Sequence, residues 1–163
     1  MAIDIASYRR IMGNFATGIT VVTTDNGGFL HGLTANSVTG LSLEPLLLLV
    51  CVDKKAHAHG EMLRCSSFGV NVLADDQKDL SNLFAKTGEP EKGSLRGVPF
   101  HLGATGCPLI DGAMAHFECR RTRDLDGGDH TIFLGEVVAG GVDREEASPL
   151  LYFRGGYRGL AQD

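Results

Sequence analysis

The sequence predicts a mainly β fold: a small antiparallel barrel with a few short helices. Three observations predict it. Glycine supplies 22 of the 163 residues, with pairs at Gly27-Gly28, Gly127-Gly128, Gly140-Gly141 and Gly155-Gly156. Glycine weakens helices and suits turns, bulges and barrel corners. β-branched or alternating runs recur between turn signals, as in residues 19–24 (ITVVTT) and 67–73 (SFGVNVL). Helices and strands do not alternate regularly, which argues against a doubly wound sheet. About six or seven antiparallel strands remain, and closing them into a barrel removes exposed edges. The chain carries no internal repeat and no linker, so one domain over residues 1–163 is expected.

The elements follow in order. Residues 4–14 carry Ile5, Tyr8, Ile11 and Met12 at helical spacing, with Arg9 and Arg10 on the wet side. That predicts a helix ending near Gly13. Residues 19–24 predict a strand, Asp25-Asn26-Gly27-Gly28 a hairpin turn, and residues 29–38 the returning strand. The apolar run from Leu46 to Val52, closing on Asp53, predicts a central strand buried on both faces. His57–Arg64 predicts a short helix and residues 67–73 a strand. Residues 75–86 place Leu80, Leu83 and Phe84 on one face behind an acidic first turn, which predicts another helix. Residues 87–109 are rich in Gly and Pro and lack periodicity, as in a long loop. Residues 113–125 alternate as a strand does. Asp126-Gly127-Gly128-Asp129 turns the chain, His130–Val142 returns, and residues 150–153 form a last strand.

Composition narrows the function. The formal net charge of −5 argues against nucleic acid or an anionic membrane surface as the main partner. No apolar run approaches the roughly 20 residues of a membrane span. The opening MAIDIASYRRIMG lacks the apolar core of a secretion signal, so a cytoplasmic protein is expected. Cys51, Cys65, Cys107 and Cys119 form no CxxC pair and read as small buried hydrophobes. His57 and His59, with His31 or His116, have no carboxylate or cysteine at supporting spacing, so no metal is expected. Neither a Rossmann glycine fingerprint nor a P-loop is present, and the G-x-S-x-G and H-E-x-x-H motifs are absent.

Two places call for an explanation beyond packing. Thr34, Ala35, Asn36 and Ser37 lie just before the apolar central strand. Hydroxyls and amides there need water, a turn or a polar ligand. His130 follows Gly128-Asp129 at a strand start. Its ring should project beside the sheet rim, where Asp129 can satisfy it.

At this point the residues resemble a family. The matching runs are Thr17-Gly-Ile-Thr-Val-Val-Thr-Thr24, Gly32-Leu-Thr-Ala-Asn-Ser37, Leu41-Ser-Leu-Glu-Pro45, Phe68-Gly-Val-Asn71, residues 77–84, Gly128-Asp-His-Thr-Ile132 and Pro149-Leu-Leu-Tyr-Phe153. Together, in order and over nearly the whole chain, they resemble the short-chain flavin reductases. These are the reductase components of two-component flavin-dependent monooxygenases.

The resemblance implies an antiparallel split β-barrel of the FMN-binding type, usually a homodimer, with FMN or FAD at the rim. By resemblance, Thr34, Ala35, Asn36, Ser37 and Ser42 belong to the flavin site. Cys51, Val52 and Asp53 run along the ring, Lys54, Lys55 and Ala56 lie near the phosphate, and Phe84 closes the pocket. A flat amphipathic ring needs an apolar wall with donors and acceptors along one edge, and this stretch offers both. The implied reaction is hydride transfer from NADH or NADPH to the flavin. His130 then orients the nicotinamide, with Asp129 and Tyr157 in the same NAD(P)H groove, and reduced flavin serves a partner monooxygenase. The family often has Ser or Thr after the lysine turn, where this chain has Ala56-His57-Ala58-His59. Alternatives are a flavin- or haem-binding module without turnover, a barrel that binds an apolar ligand, and, on fold analogy, an oxidase of the pyridoxamine-phosphate type.

Overall fold

Turn chemistry sets the frame of the computed structural model, which describes residues 2–161. Strand β1 is Thr17–Gly18, β2 Thr20–Asn26 and β3 Phe29–Ala35. Between β2 and β3, Gly27 and Gly28 take φ of 69° and 87°, the left-handed region that glycine reaches at least cost. The Gly28 N–H donates to Asp25 Oδ1 at 2.6 Å and closes the hairpin. Strand β3 stops at Ala35, earlier than residue 38. The cause is a corner: the Cys51 N–H donates to the Ser37 carbonyl at 3.0 Å, and Ser37 Oγ donates to the Cys51 carbonyl at 2.9 Å. The chain therefore folds over onto β5 (Leu46–Asp53), and Val38–Leu43 becomes a separate strand, β4.

The rest follows the same antiparallel logic. Strand β6 is Ser67–Val72, β7 Glu91–Lys92, β8 Phe100–Leu102 and β9 Pro108–Ile110. The long hairpin of β10 (Ala115–Gly127) and β11 (His130–Val142) closes on a two-residue turn, Gly128-Asp129. Strands β12 (Leu151–Phe153) and β13 (Gly156–Arg158) end the fold. Three helices accompany them: α1 (Ile5–Met12), α2 (His57–Arg64) and α3 (Lys78–Ala85). The short strands β7, β8 and β9 occupy the stretch expected as a loop.

One eight-stranded sheet runs β4-β5-β11-β10-β6-β2-β3-β7, with smaller sheets β1-β12-β13 and β8-β9. The sheet does not close on itself, and β4 and β7 are its edges, as the split barrel implied by the resemblance requires. Irregularities in β10 at Glu118/Cys119 and Arg121/Arg123 bend the long hairpin.

Two cores result. One lies between β5, β6, β11 and α2, with Val50, Val52, Met62, Phe68 and Phe133. The other lies between β2, α3 and the later loops, with Val21, Leu73, Phe84, Leu95 and Ile110. Burying each large side chain contributes about 1.5–3 kcal/mol before entropy. Strand β2 serves both cores, which is why residues 20–24 are all buried.

Strand β5 corrects the sequence expectation. Leu48, Val50 and Val52 are buried, but Leu47, Leu49 and Cys51 on the opposite face are only half-buried. The apolar run hid this difference because both faces are lined by the same residue types. Helix α1 buries no residue, and Ile5, Tyr8, Ile11 and Met12 are exposed. Among the described residues, no helix is long and apolar enough to cross a membrane.

Candidate functional site

The half-open face of β5 carries the candidate site. Antiparallel pairing sets His130 opposite Asp53, Ile132 opposite Cys51 and Leu134 opposite Leu49. Side chains two residues apart share a face. Asp53, Cys51, Leu49, His130, Ile132 and Leu134 therefore form one surface, apolar in the middle and polar at the rim. The corner at Ser37 is tied directly to Cys51, two residues from Asp53. The sequence thus brings a hydroxyl and amide corner, an apolar wall and a histidine rim to one end of the sheet.

The rim is ordered by hydrogen bonds. Asp53 Oδ1 accepts the Lys55 N–H at 2.8 Å and shapes the turn into α2. The His130 Nδ1–H donates to Asp129 Oδ1 at 2.8 Å. That bond, followed by the charge of His130, holds the Asp129 carboxyl below its usual value. An ionised carboxylate only accepts, so it fixes the proton on Nδ1 and leaves Nε2 available. Lys54 secures the turn that carries this pair. Its ammonium bonds the Asp126 carboxylate and the Gly128 carbonyl, the latter at 2.6 Å, while its backbone N–H donates to the Asp129 carbonyl at 3.0 Å. The Lys54 hydrogen bond holds the Asp126 carboxyl below its usual value. Lys54 is therefore a turn clamp, a role its sequence neighbourhood did not signal. Lys55 stays exposed beside the N-terminus of α2. Ala56 is the N-cap of α2 and makes no side-chain cap hydrogen bond.

The expected site residues divide. Ser37, Cys51, Asp53, Lys55, Ala56, Asp129 and His130 come together, and Asn36 lies beside Ser37 with its amide 3.3 Å from Thr17 Oγ1. Ala35 and Val52 are buried in the first core, directly behind this surface. Thr34 turns away: its hydroxyl donates to the Ser81 carbonyl of α3 at 2.6 Å. Ser42 pairs with Leu47 at the far end of β5 and accepts the Glu44 N–H at 3.2 Å. Six residues of strand separate it from the rim, about 20 Å. Phe84 is corrected from pocket lid to core, being 1% exposed. A methyl at Gly32 would come within 2.5 Å of its ring. Tyr157 is held by α3, its hydroxyl 2.9 Å from Ser81 Oγ and 3.0 Å from Asn82 Oδ1.

A cleft of about 1000 Å³ opens beside the same corner, lined by Asn36, Ser37, Val38 and Thr39 together with Tyr8, Met12, Phe15, Thr17, Thr20 and Tyr152. Sequence reading did not assign Thr39 or Tyr152 to it. Only tertiary folding brings residue 152 to residue 17, through the β1–β12 pairing.

Burial disfavours the thiolate form of the cysteines. Burial pushes the Cys65 thiol up to about 11 and Cys119 up to about 12. Burial also raises Cys107 and, less enclosed, Cys51. Among the described residues, no group of three His, Cys, Asp or Glu could hold a metal ion.

This is a mostly β split barrel of the flavin reductase type, with a polar rim at one sheet end. The profile described as "Flavin reductase like domain" matches residues 12–161, and the chain belongs to that family. It is 41% identical over 155 residues to a probable flavin reductase of Rhizobium meliloti (strain 1021), covering 94% of this chain but 48% of that protein. It therefore spans about half the length of that relative. It is 36% identical to the reductase subunit HsaB of a flavin-dependent monooxygenase from Rhodococcus jostii (strain RHA1), covering 99% of this chain and 81% of that one. The NADH:FAD oxidoreductase of Streptomyces globisporus, solved in complex with NAD and FAD fragments, superposes with a TM-score of 0.89. It shares 40% identity and covers 98% of this chain and 94% of that one.

Proposed function

We propose that this protein is an NAD(P)H:flavin oxidoreductase that reduces FMN or FAD for a partner monooxygenase, its whole chain acting as one flavin reductase-like domain. The observation that carries the reading is the Asp53–His130 pairing. It sets a carboxylate-oriented imidazole beside the apolar β5–β11 wall and the Ser37 corner.

The donor set suits a flavin. Leu49, Cys51, Ile132 and Leu134 supply a flat apolar wall, and Asn36 and Ser37 supply polar groups along one edge. Lys55 and the positive end of α2 supply charge for a phosphate. Bound flavin supplies the hydride acceptor and the pyridine nucleotide the hydride. The chain's work is placement. His130, with its proton on Nδ1, orients the nicotinamide through Nε2 and the ring face, and Asp129 holds that tautomer. The apolar wall keeps water from the reacting centre.

The named relatives support a monooxygenase partner. A homodimer is the assembly, supported by the unpartnered apolar face of α1 and by exposed Leu41, Leu43 and Leu46 at the β4–β5 edge. The location is cytoplasmic. The test is steady-state oxidation of NADH and NADPH with and without FMN or FAD. Turnover that depends on added or bound flavin supports the assignment, and a flavin-binding protein without turnover would replace it with a non-catalytic module.

A further inference from the structure

Three arginines from distant parts of the chain line one groove. Arg9 and Arg10 come from α1, and Arg154 from the β12–β13 turn. With Gly13, Asn14 and Gly155 they enclose about 510 Å³. Arg9, Gly13 and Gly155 also line the larger cleft that ends at Asn36 and Ser37, so the two spaces are continuous. No Asp or Glu lines either part. Among the described residues, none of the three guanidiniums forms an ion pair. The chain has a net charge of −5, so this groove runs against the charge of the whole.

Helix geometry explains part of the pattern but not all of it. Basic residues in the last turn of α1 complement its negative end, which accounts for Arg9 and Arg10. It does not account for Arg154. That residue holds φ of 50°, a left-handed conformation that costs a non-glycine residue energy. Its N–H donates to the Gly13 carbonyl at 2.9 Å, its Nε donates to Asn14 Oδ1 at 2.8 Å, and its guanidinium lies 4.9 Å over the Phe153 ring. These contacts fix the plane of the group. Among the described residues, they leave both terminal nitrogens without a partner, which is the fork that binds phosphate oxygens in pairs.

We propose that Arg9, Arg10 and Arg154 form a subsite for a nucleotide diphosphate, reached from the Asn36–Ser37 corner. The proposal rests on the flavin reductase reading, because FAD and the pyridine nucleotide both carry such a group. Riboflavin and reduced nicotinamide mononucleotide do not carry it, and this separates the two sources.

The experiment compares wild type with Arg9→Gln/Arg10→Gln and with Arg154→Gly. Glycine suits the left-handed position, so the second variant keeps the turn while removing the guanidinium. Lys86→Gln/Lys92→Gln is the charge control. One arm titrates FAD, FMN and riboflavin by flavin fluorescence. The other measures KM for NADH and for reduced nicotinamide mononucleotide, with riboflavin as acceptor. Each arginine variant should weaken the diphosphate ligand by about tenfold or more, leave its phosphate-poor analogue unchanged, and lose this difference at high salt. A loss confined to FAD assigns the flavin's diphosphate, and one confined to NADH assigns the pyridine nucleotide's. Equal shifts for a ligand and its analogue in both arms, or no shift in either, overturn the subsite. If wild type fails to oxidise NADH with FAD, FMN or riboflavin as acceptor, the reductase reading falls and the subsite falls with it. Normal reduction with unresponsive arginines removes the subsite alone.

Discussion

His130 Nδ1 lies 2.8 Å from Asp129 Oδ1, so the imidazole at the sheet rim is held by the residue before it. Asp129→Ala should lower kcat/KM for NADH, by less than His130→Ala does, and leave flavin affinity unchanged. The hydrogen bond to His130 lowers the Asp129 pKa from its ordinary 3.8. A depressed carboxylate pKa gives a contact that is complete above the ordinary value and lost as pH falls through the folded one. Asp129 should therefore impose no limb of its own on the pH–rate profile at neutral or mildly acid pH.

The Lys54 clamp should separate activity from stability. It is a surface pair, so Lys54→Met should cost less than about 1 kcal/mol in denaturant unfolding. It frees the turn that carries His130, and small misplacements of reacting groups cost up to about 100-fold. KM for NADH should rise while the flavin Kd stays fixed, and Lys54→Arg should restore most of the loss. Equal effects on NADH and flavin would return Lys54 to the phosphate role expected from sequence.

Phe84 tests the division between core and pocket. Phe84→Ala should destabilise by about 3–5 kcal/mol, as large aromatic deletions do. Phe84→Leu should lose less and keep the flavin Kd of wild type. A selective loss of flavin affinity in a stable Phe84→Leu protein would place the ring back at the pocket.

The thiols give a simple check on burial. Cys65 and Cys119 titrate at about 11 and about 12 because burial disfavours the thiolate. Native protein at mildly alkaline pH should expose at most Cys51 to a disulfide reagent, and all four cysteines should react after denaturation.

The elements with strong local signals were legible in the sequence. The Asp25–Gly28 hairpin, the α3 stripe, the alternating β10 and the apolar stripe of β11 all follow from turn chemistry or hydrophobic pattern. The resemblance named Ser37, Asp53 and His130 as candidate site residues, and strand pairing sets His130 opposite Asp53. What stayed hidden depends on contacts between distant residues. Nothing local says that β5 covers a core on one face only, because Leu47 and Leu48 look alike until neighbouring strands are placed. Thr34 reads as a ligand hydroxyl until α3 supplies the Ser81 carbonyl. Phe84 was placed on the correct helix face, but which side of the sheet that helix covers is a tertiary fact. Strand β3 ends early because Ser37 bonds Cys51, fourteen residues on.

The most direct measurement is anaerobic single-turnover reduction of bound flavin by NADH, comparing wild type with His130→Ala at matched flavin saturation. The account predicts rapid bleaching of the flavin in wild type. In His130→Ala it predicts a rate about 100-fold slower, with unchanged flavin affinity. Equal rates in the two proteins would contradict it, because the nicotinamide would then be positioned by something other than the rim histidine.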